Sequence, residues 1–174
     1  VLTGAGEHFT CGMDTKIAAA LDKAGQIQAA AAIDRFAAAL HRLPCAVVVA
    51  LNGNTIGAGG IMALAADWII AAQGDYKIGL PEAKAGLPFP PVPQAILDHW
   101  LDPVWRRRLS LSSHLLTPVE ALSAGLADEL ADPAQLLDHA LVRVKELAAQ
   151  PGFKACKRQL RAKANAEIDA ILAI

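Results

Sequence analysis

The sequence predicts an α/β fold with a helical C-terminal extension, and three observations point to it. Two short apolar runs, 45–51 (CAVVVAL) and 68–72 (WIIAA), alternate with helical patterns in the first half. Five prolines fall between Pro81 and Pro93, which excludes a regular helix or central strand there and predicts a shaped loop. From Val92 onward, apolar residues recur at spacings of three and four. With 174 residues and 54% apolar side chains, the chain is long enough to bury one substantial core.

The elements follow in order. Residues 1–4 (VLTG) read as the end of a buried strand, with sequence expected upstream. A turn-rich piece reaches Gly12, and the Ala-laden stretch 17–40 has strong helix propensity until Leu43-Pro44 stops it. The run 45–51, bounded by Pro44 and Asn52-Gly53, reads as a strand buried on both faces. The next glycines open a helix that continues through 61–66. Residues 68–72 form another buried strand, ended by Gly74-Asp75, and 76–80 is a short extended piece. Beyond the proline-rich loop, helices are expected over 95–101, 105–111, 118–124, 133–149 and 153–174. Thr117-Pro118-Val119-Glu120 has the form of a capping box with Pro at the first helical position.

Charge and cysteine content narrow the function classes. A net charge of −1 without a long basic run gives no electrostatic footprint for nucleic acid or a membrane surface. The triplet Arg106-Arg107-Arg108 reads as a solvated helix face. Cys11, Cys45 and Cys156 are odd in number and contain no C-x-x-C pair, which disfavours a disulfide framework or a zinc site and points to the cytoplasm. No apolar stretch approaches the roughly 18 residues a bilayer requires, and the five histidines show no metal-ligand spacing. The serines lack a nucleophile elbow.

The glycine clusters fail as nucleotide fingerprints. After Gly4-Ala5-Gly6 the pattern needs glycine where Phe9 stands, and after Gly57-Ala58-Gly59 it needs glycine where Met62 stands. Small residues that open a helix after a strand still leave N–H groups free to bind a developing oxyanion. A second such place is 9–14 (FTCGMD), and two donors from separate loops make a hole.

These segments carry a resemblance. Residues 1–14 (VLTGAGEHFTCGMD) resemble the strand, turn and first oxyanion loop of the crotonase superfamily, the enoyl-CoA hydratase/isomerase family. Residues 51–72 (LNGNTIGAGGIMALAADWIIAA) are similar to its N-G-x-x-x-G-G-G segment, and 78–87 (IGLPEAKAGL) to its P-E loop. Residues 117–130 (TPVEALSAGLADEL) resemble a further segment, so the likeness spans nearly the whole chain.

The resemblance implies a crotonase-like spiral of ββα units, with a core over 1–115 that lacks an N-terminal portion and a helical region over 116–174 used for trimers or paired trimers. It places the oxyanion donors on the backbone N–H groups of Met13 and Ala58, with Gly59 as the alternative to Ala58. Cys11, Gly12, Asp14, Gly57, Gly59, Ile61 and Pro81 then surround an acyl-CoA thioester, with coenzyme A as part of the substrate and no separate cofactor.

Hydratases of the family use two glutamates. Glu82 matches the second, whereas Ile61 stands in place of the first. Hydration needs an oriented water and paired carboxylates, while double-bond migration needs one base, so isomerisation by Glu82 is favoured. A hydratase of fatty-acid β-oxidation and a non-catalytic acyl-CoA-binding trimer are the alternatives.

Other acidic and basic residues have quieter readings. Asp14 is expected to cap the following helix, and Asp67 to accept backbone hydrogen bonds from within the core. Lys154, Lys157 and Arg158 are read either as contacts to the nucleotide end of coenzyme A, which the resemblance implies, or as solvated charge.

Overall fold

The computed structural model describes residues 1–173. The chain begins with β1 (Leu2–Thr3) and β2 (His8–Thr10), then α1 (Thr15–Ala20) and α2 (Lys23–Arg42). It continues with β3 (Val48–Leu51), β4 (Asn54–Ile56) and α3 (Ala58–Leu64), and then β5 (Trp68–Ala72) and β6 (Ile78–Gly79). The helices α4 (Pro91–Trp100) and α5 (Pro103–Ser112) follow. The last part holds β7 (Leu115–Leu116), α6 (Pro118–Ala124), β8 (Glu129–Ala131), α7 (Leu136–Ala149), α8 (Phe153–Leu160) and α9 (Ala162–Leu172).

The strands form two sheets. One is parallel throughout, in the order β1-β3-β5-β8, and the other runs β2-β4-β6-β7, with only the β6–β7 pair antiparallel. Each pass therefore lays one strand in each sheet before a helix returns the chain, and three such ββα passes stack into the expected spiral. All four residues of β3 are buried because it lies between β1 and β5. One core cluster draws on residues from Phe9 to Ile168, so α9 closes over the same apolar interior as the first strands. The pair β5–β8 likewise ties the C-terminal region to the first sheet.

Four expectations are corrected. The stretch 17–40 is two helices, because Leu21 leaves helical geometry and the Asp22 carboxylate caps the second by accepting the Gly25 N–H at 2.7 Å. The proline-rich loop ends earlier than predicted: Pro91 and Pro93 sit in the first turn of α4, where an amide N–H has no intrahelical acceptor to lose. The stretch 153–174 breaks at Arg161 into α8 and α9. The 133–149 helix begins only at Leu136.

The caps at Asp14 and Thr117 form as read. Asp14 accepts the N–H groups of Lys16 and Ile17, and Thr117 exchanges bonds with Glu120. Arg107 and Arg108 are exposed, and Arg106 reaches Asp98 at 2.8 Å. No described helix is long and apolar enough to cross a membrane.

Candidate active site

Three loops meet at the head of α3. The first leaves β2 at Thr10, whose Oγ1 accepts the Gly12 N–H at 3.2 Å, and turns at Gly12 with φ 80°. A Cβ on Gly12 would lie 2.9 Å from the Ile56 carbonyl oxygen and 3.4 Å from the Ala58 nitrogen. Only glycine lets this loop rest on the start of α3.

The second loop is the entry to α3 itself. Gly57 precedes the helix with φ 60° and ψ −122°, and no side chain caps it. The Gly57 carbonyl already accepts the Gly60 N–H at 2.9 Å. The N–H groups of Ala58 and Gly59 lie one step earlier, where a helix offers no acceptor.

The third loop, after β6, carries Glu82. Its Oε1 stands 3.2 Å from where a Cβ on Gly57 would be. Its Oε2 is buried without a hydrogen-bond partner among the described residues. Burial raises the carboxyl pKa above the ordinary 4.5, opposed in part by its own backbone N–H. The site thus holds one poorly solvated acid beside the turn that opens α3.

Met13 and Ala58 line one open, largely apolar cleft of about 400 Å³, together with Thr10, Gly12, Ile61 and Met62. Its far wall is α2, through Ala29, Ala32, Ile33, Phe36 and Ala37. A second cleft, of about 460 Å³, opens beside it along Cys11, Gly12, Met13, Asp14 and Lys16.

The structure therefore brings Gly12 against Ala58, Glu82 against Gly57, and Met13, Ala58 and Ile61 into one cleft. Cys11 and Asp14 face the second cleft, and Asp14 spends its carboxylate on capping α1. Gly59 packs on Thr10, and Pro81 opens the turn that carries Glu82 by accepting the Ala85 N–H. Neither Glu82 nor Pro81 lines either cleft.

Two features escaped the sequence reading. The α2 wall was one, although 29, 32, 33, 36 and 37 fall at the spacing of a single helix face. The other is a buried ion cluster. Lys157 Nζ lies 2.7 Å from Asp67 Oδ2, and Arg161 Nη2 lies 2.7 Å from Asp67 Oδ1. Arg161 also donates to the carbonyls of His41, Ala65 and Ala66, which ties together the ends of α2 and α3. Lys157 is thereby excluded from both readings given to it: it is neither solvated nor free to meet a nucleotide. Asp67 also accepts the Val47 N–H at 2.8 Å, as expected of a buried acid.

Comparison with known proteins identifies the family and the fold. The family model described as enoyl-CoA hydratase/isomerase matches residues 1–173. A carnitinyl-CoA dehydratase of Salmonella arizonae is 35% identical over 155 residues, covering 86% of this chain and 56% of the relative. A probable enoyl-CoA hydratase of Mycobacterium avium is 31% identical over 172 residues, covering 98% of this chain and 64% of the relative. The chain thus spans less than two thirds of the length of these relatives. Among solved structures, a probable enoyl-CoA hydratase of Mycobacterium tuberculosis superposes with a TM-score of 0.89 at 26% identity, over 97% of this chain and 72% of that one. Human mitochondrial delta3-delta2-enoyl-CoA isomerase shares the fold, with a TM-score of 0.85 at 23% identity over 98% of this chain and 71% of that one.

Proposed function

The chain belongs to the enoyl-CoA hydratase/isomerase family, and on that premise we propose that it moves a carbon–carbon double bond within an enoyl-CoA thioester. In this reading the thioester oxygen is held by the backbone N–H groups of Met13 and Ala58, and Glu82 carries the proton. The observation that supports it is the pairing of one desolvated carboxylate, beside Gly57, with an isoleucine at 61 where a second acid would be needed to activate water.

The chemistry follows from these groups. The Glu82 carboxylate takes a proton from C2 of a 3-enoyl thioester, and the electron pair moves toward the thioester oxygen. Two N–H donors stabilise that oxygen as charge grows on it; in acyl-transfer sites one such donor is worth on the order of 10²–10³ in rate. The same carboxyl returns the proton to C4, leaving the double bond between C2 and C3. Burial raises the affinity of Glu82 for the proton, which suits a group that must accept it and give it back. The buried Ile61 side chain withholds water from the intermediate.

We also take the chain to assemble as a trimer or paired trimers. Leu137, Leu141 and Val142 on α7 and Leu160 on α8 are exposed apolar side chains in keeping with that assembly.

Incubating a 3-enoyl-CoA with the protein in deuterated water tests the reading. Formation of a 2-enoyl-CoA, with deuterium at C4 only to the extent that the Glu82 carboxyl exchanges its proton with solvent before returning it, and lost in Glu82→Gln while acyl-CoA binding persists, is the expected result. A 3-hydroxyacyl-CoA formed from a 2-enoyl-CoA would replace isomerisation with hydration. Tight binding with no exchange would make the protein an acyl-CoA-binding scaffold.

A further inference from the structure

The turn that carries Glu82 has little support of its own. Pro81 opens it by accepting the Ala85 N–H at 3.0 Å, and the N–H groups of Gly86 and Leu87 close it on the carbonyls of Ala83 and Glu82 at 3.2 and 2.9 Å, with Gly86 at φ 70°. Residues 83–88 are exposed, so little apolar packing holds this single helical turn. Its first N–H groups have no internal acceptor. A serine, threonine or aspartate in the opening position would accept the N–H three residues on; Pro81 carries no such group.

The missing acceptor comes from Ser113, 29 positions away, whose Oγ accepts the Lys84 N–H at 3.0 Å. Among the described residues this is the only hydrogen bond that ties 81–88 to another part of the chain. We infer that Ser113 is a positioning residue for Glu82: its hydroxyl caps the turn from outside and holds the acid against the start of α3. The inference rests on the function proposed above, in which Glu82 carries the proton.

The backbone at Ser113 supports it. Ser113 ends α5 at φ 53° and ψ 35°, and among the described residues it is the only one other than glycine at positive φ. Helix α6 ends in the same left-handed conformation at Gly125, with φ 75° and ψ 19°. Glycine adopts that conformation at no steric cost, whereas a side chain is strained there. A helix end alone therefore calls for glycine, and the serine is accounted for by what its hydroxyl reaches. Strand β7 fixes Ser113 in space, because Leu115 pairs with Gly79 and Leu116 with Ile78, on the strand that leads into the Glu82 turn. A Cβ on Gly79 would lie 2.9 Å from the His114 carbonyl oxygen, so the two segments have no slack.

Ser113→Gly separates positioning from folding, since it relieves the strain and removes the acceptor. Its thermal midpoint should match or exceed that of the parent. The kcat for a 3-enoyl-CoA should fall about five- to tenfold, the size of a lost cap, with KM little changed. The acid midpoint of the kcat/KM profile should move down toward 4.5 as Glu82 gains water. The Lys84 amide, followed by NMR, should exchange faster with deuterated water by about the same five- to tenfold. Ser113→Asn should restore kcat, midpoint and protection, because asparagine tolerates the left-handed conformation and presents an acceptor.

Wild-type kcat and acid midpoint in Ser113→Gly would overturn the inference and leave Ser113 as the end of α5, whether or not Lys84 exchanges faster. A loss that Ser113→Asn fails to restore would overturn the hydroxyl as the acceptor responsible. If the parent itself turns over no 3-enoyl-CoA, the proposed reaction falls separately. Lys84 exchange and an NMR titration of the Glu82 carboxyl, in the parent and in Ser113→Gly, then decide the positioning, and identical values in both would overturn it.

Discussion

The Glu82 carboxylate oxygen Oε1 stands 3.2 Å from the point where a Cβ on Gly57 would sit. That proximity brings together the two loops on which the proposed chemistry depends. The absence of a side chain at 57 leaves room for the acid, and the positive φ of Gly57 aims the first turn of α3.

Gly57→Ala is therefore expected to act twice. A side chain at φ 60° costs on the order of 1–2 kcal/mol of stability, and the new methyl pushes the carboxylate aside. Denaturant unfolding should show that loss, and turnover of a 3-enoyl-CoA should fall further than the stability change accounts for. Unchanged turnover would separate Glu82 from Gly57.

Gly12→Ala probes the other approach. Its Cβ would come within 2.9 Å of the Ile56 carbonyl oxygen, a backbone atom that cannot swing away. The loop must retreat from α3 and carry Met13 with it. Loss of one oxyanion donor predicts a fall in kcat of about 10²–10³, read by steady-state kinetics beside a folded far-UV spectrum. Wild-type kcat in a folded variant would exclude Met13 as a donor.

The acid limb of the pH–rate profile should report Glu82. Its folded pKa is raised by burial, so the working carboxylate appears only above the usual 4.5. The expected kcat/KM profile rises with pH through a midpoint above 4.5, and Glu82→Asp should move that midpoint. A flat profile down to pH 4.5 would sink the assignment.

The buried cluster makes a stability prediction. Asp67 is ion-paired with both Lys157 and Arg161 in the interior, and breaking a buried pair costs about 3–5 kcal/mol because uncompensated charge remains. Asp67→Asn should lower the urea midpoint accordingly, and adding Lys157→Met should recover part of the loss. If the double variant were no more stable than the single one, Lys157 would not be held by Asp67.

His41 sets a pH dependence of opposite origin. Burial chiefly, then the charges of Arg161, His99 and Lys157, lower its pKa to about 4, against a hydrogen bond with Asn165 that raises it. Between pH 6.5 and about 4 the unfolded chain binds the proton more readily than the folded one. The contribution is thus intact above pH 6.5 and is lost as pH falls toward 4, amounting to at most about 3 kcal/mol. The stability difference between the wild type and His41→Asn should shift by that amount over the window. A constant difference would show that His41 titrates normally.

Local signals in the sequence carried much of the fold. The strand at Trp68–Ala72, the cap at Asp14 and the box at Thr117 and Glu120 depend on neighbours a few residues away, so they could be read directly. The ordered glycine and P-E segments likewise marked which loops come together. The short strands β2, β4, β7 and β8 were not legible, because two or three residues show no periodicity and form only when a distant strand pairs with them.

The same distinction holds for side chains. Composition gave Lys157 and Arg161 no reason to be buried; Asp67, some 90 positions earlier, provides the partner that makes burial tolerable. The α2 wall became part of a cleft only when the chain returned to place α3 opposite it. The sequence by itself determined the family and singled out Glu82 as the proposed acid. Tertiary structure decided which loops, which apolar face and which charges meet, since those contacts draw their free energy from partners far apart along the chain.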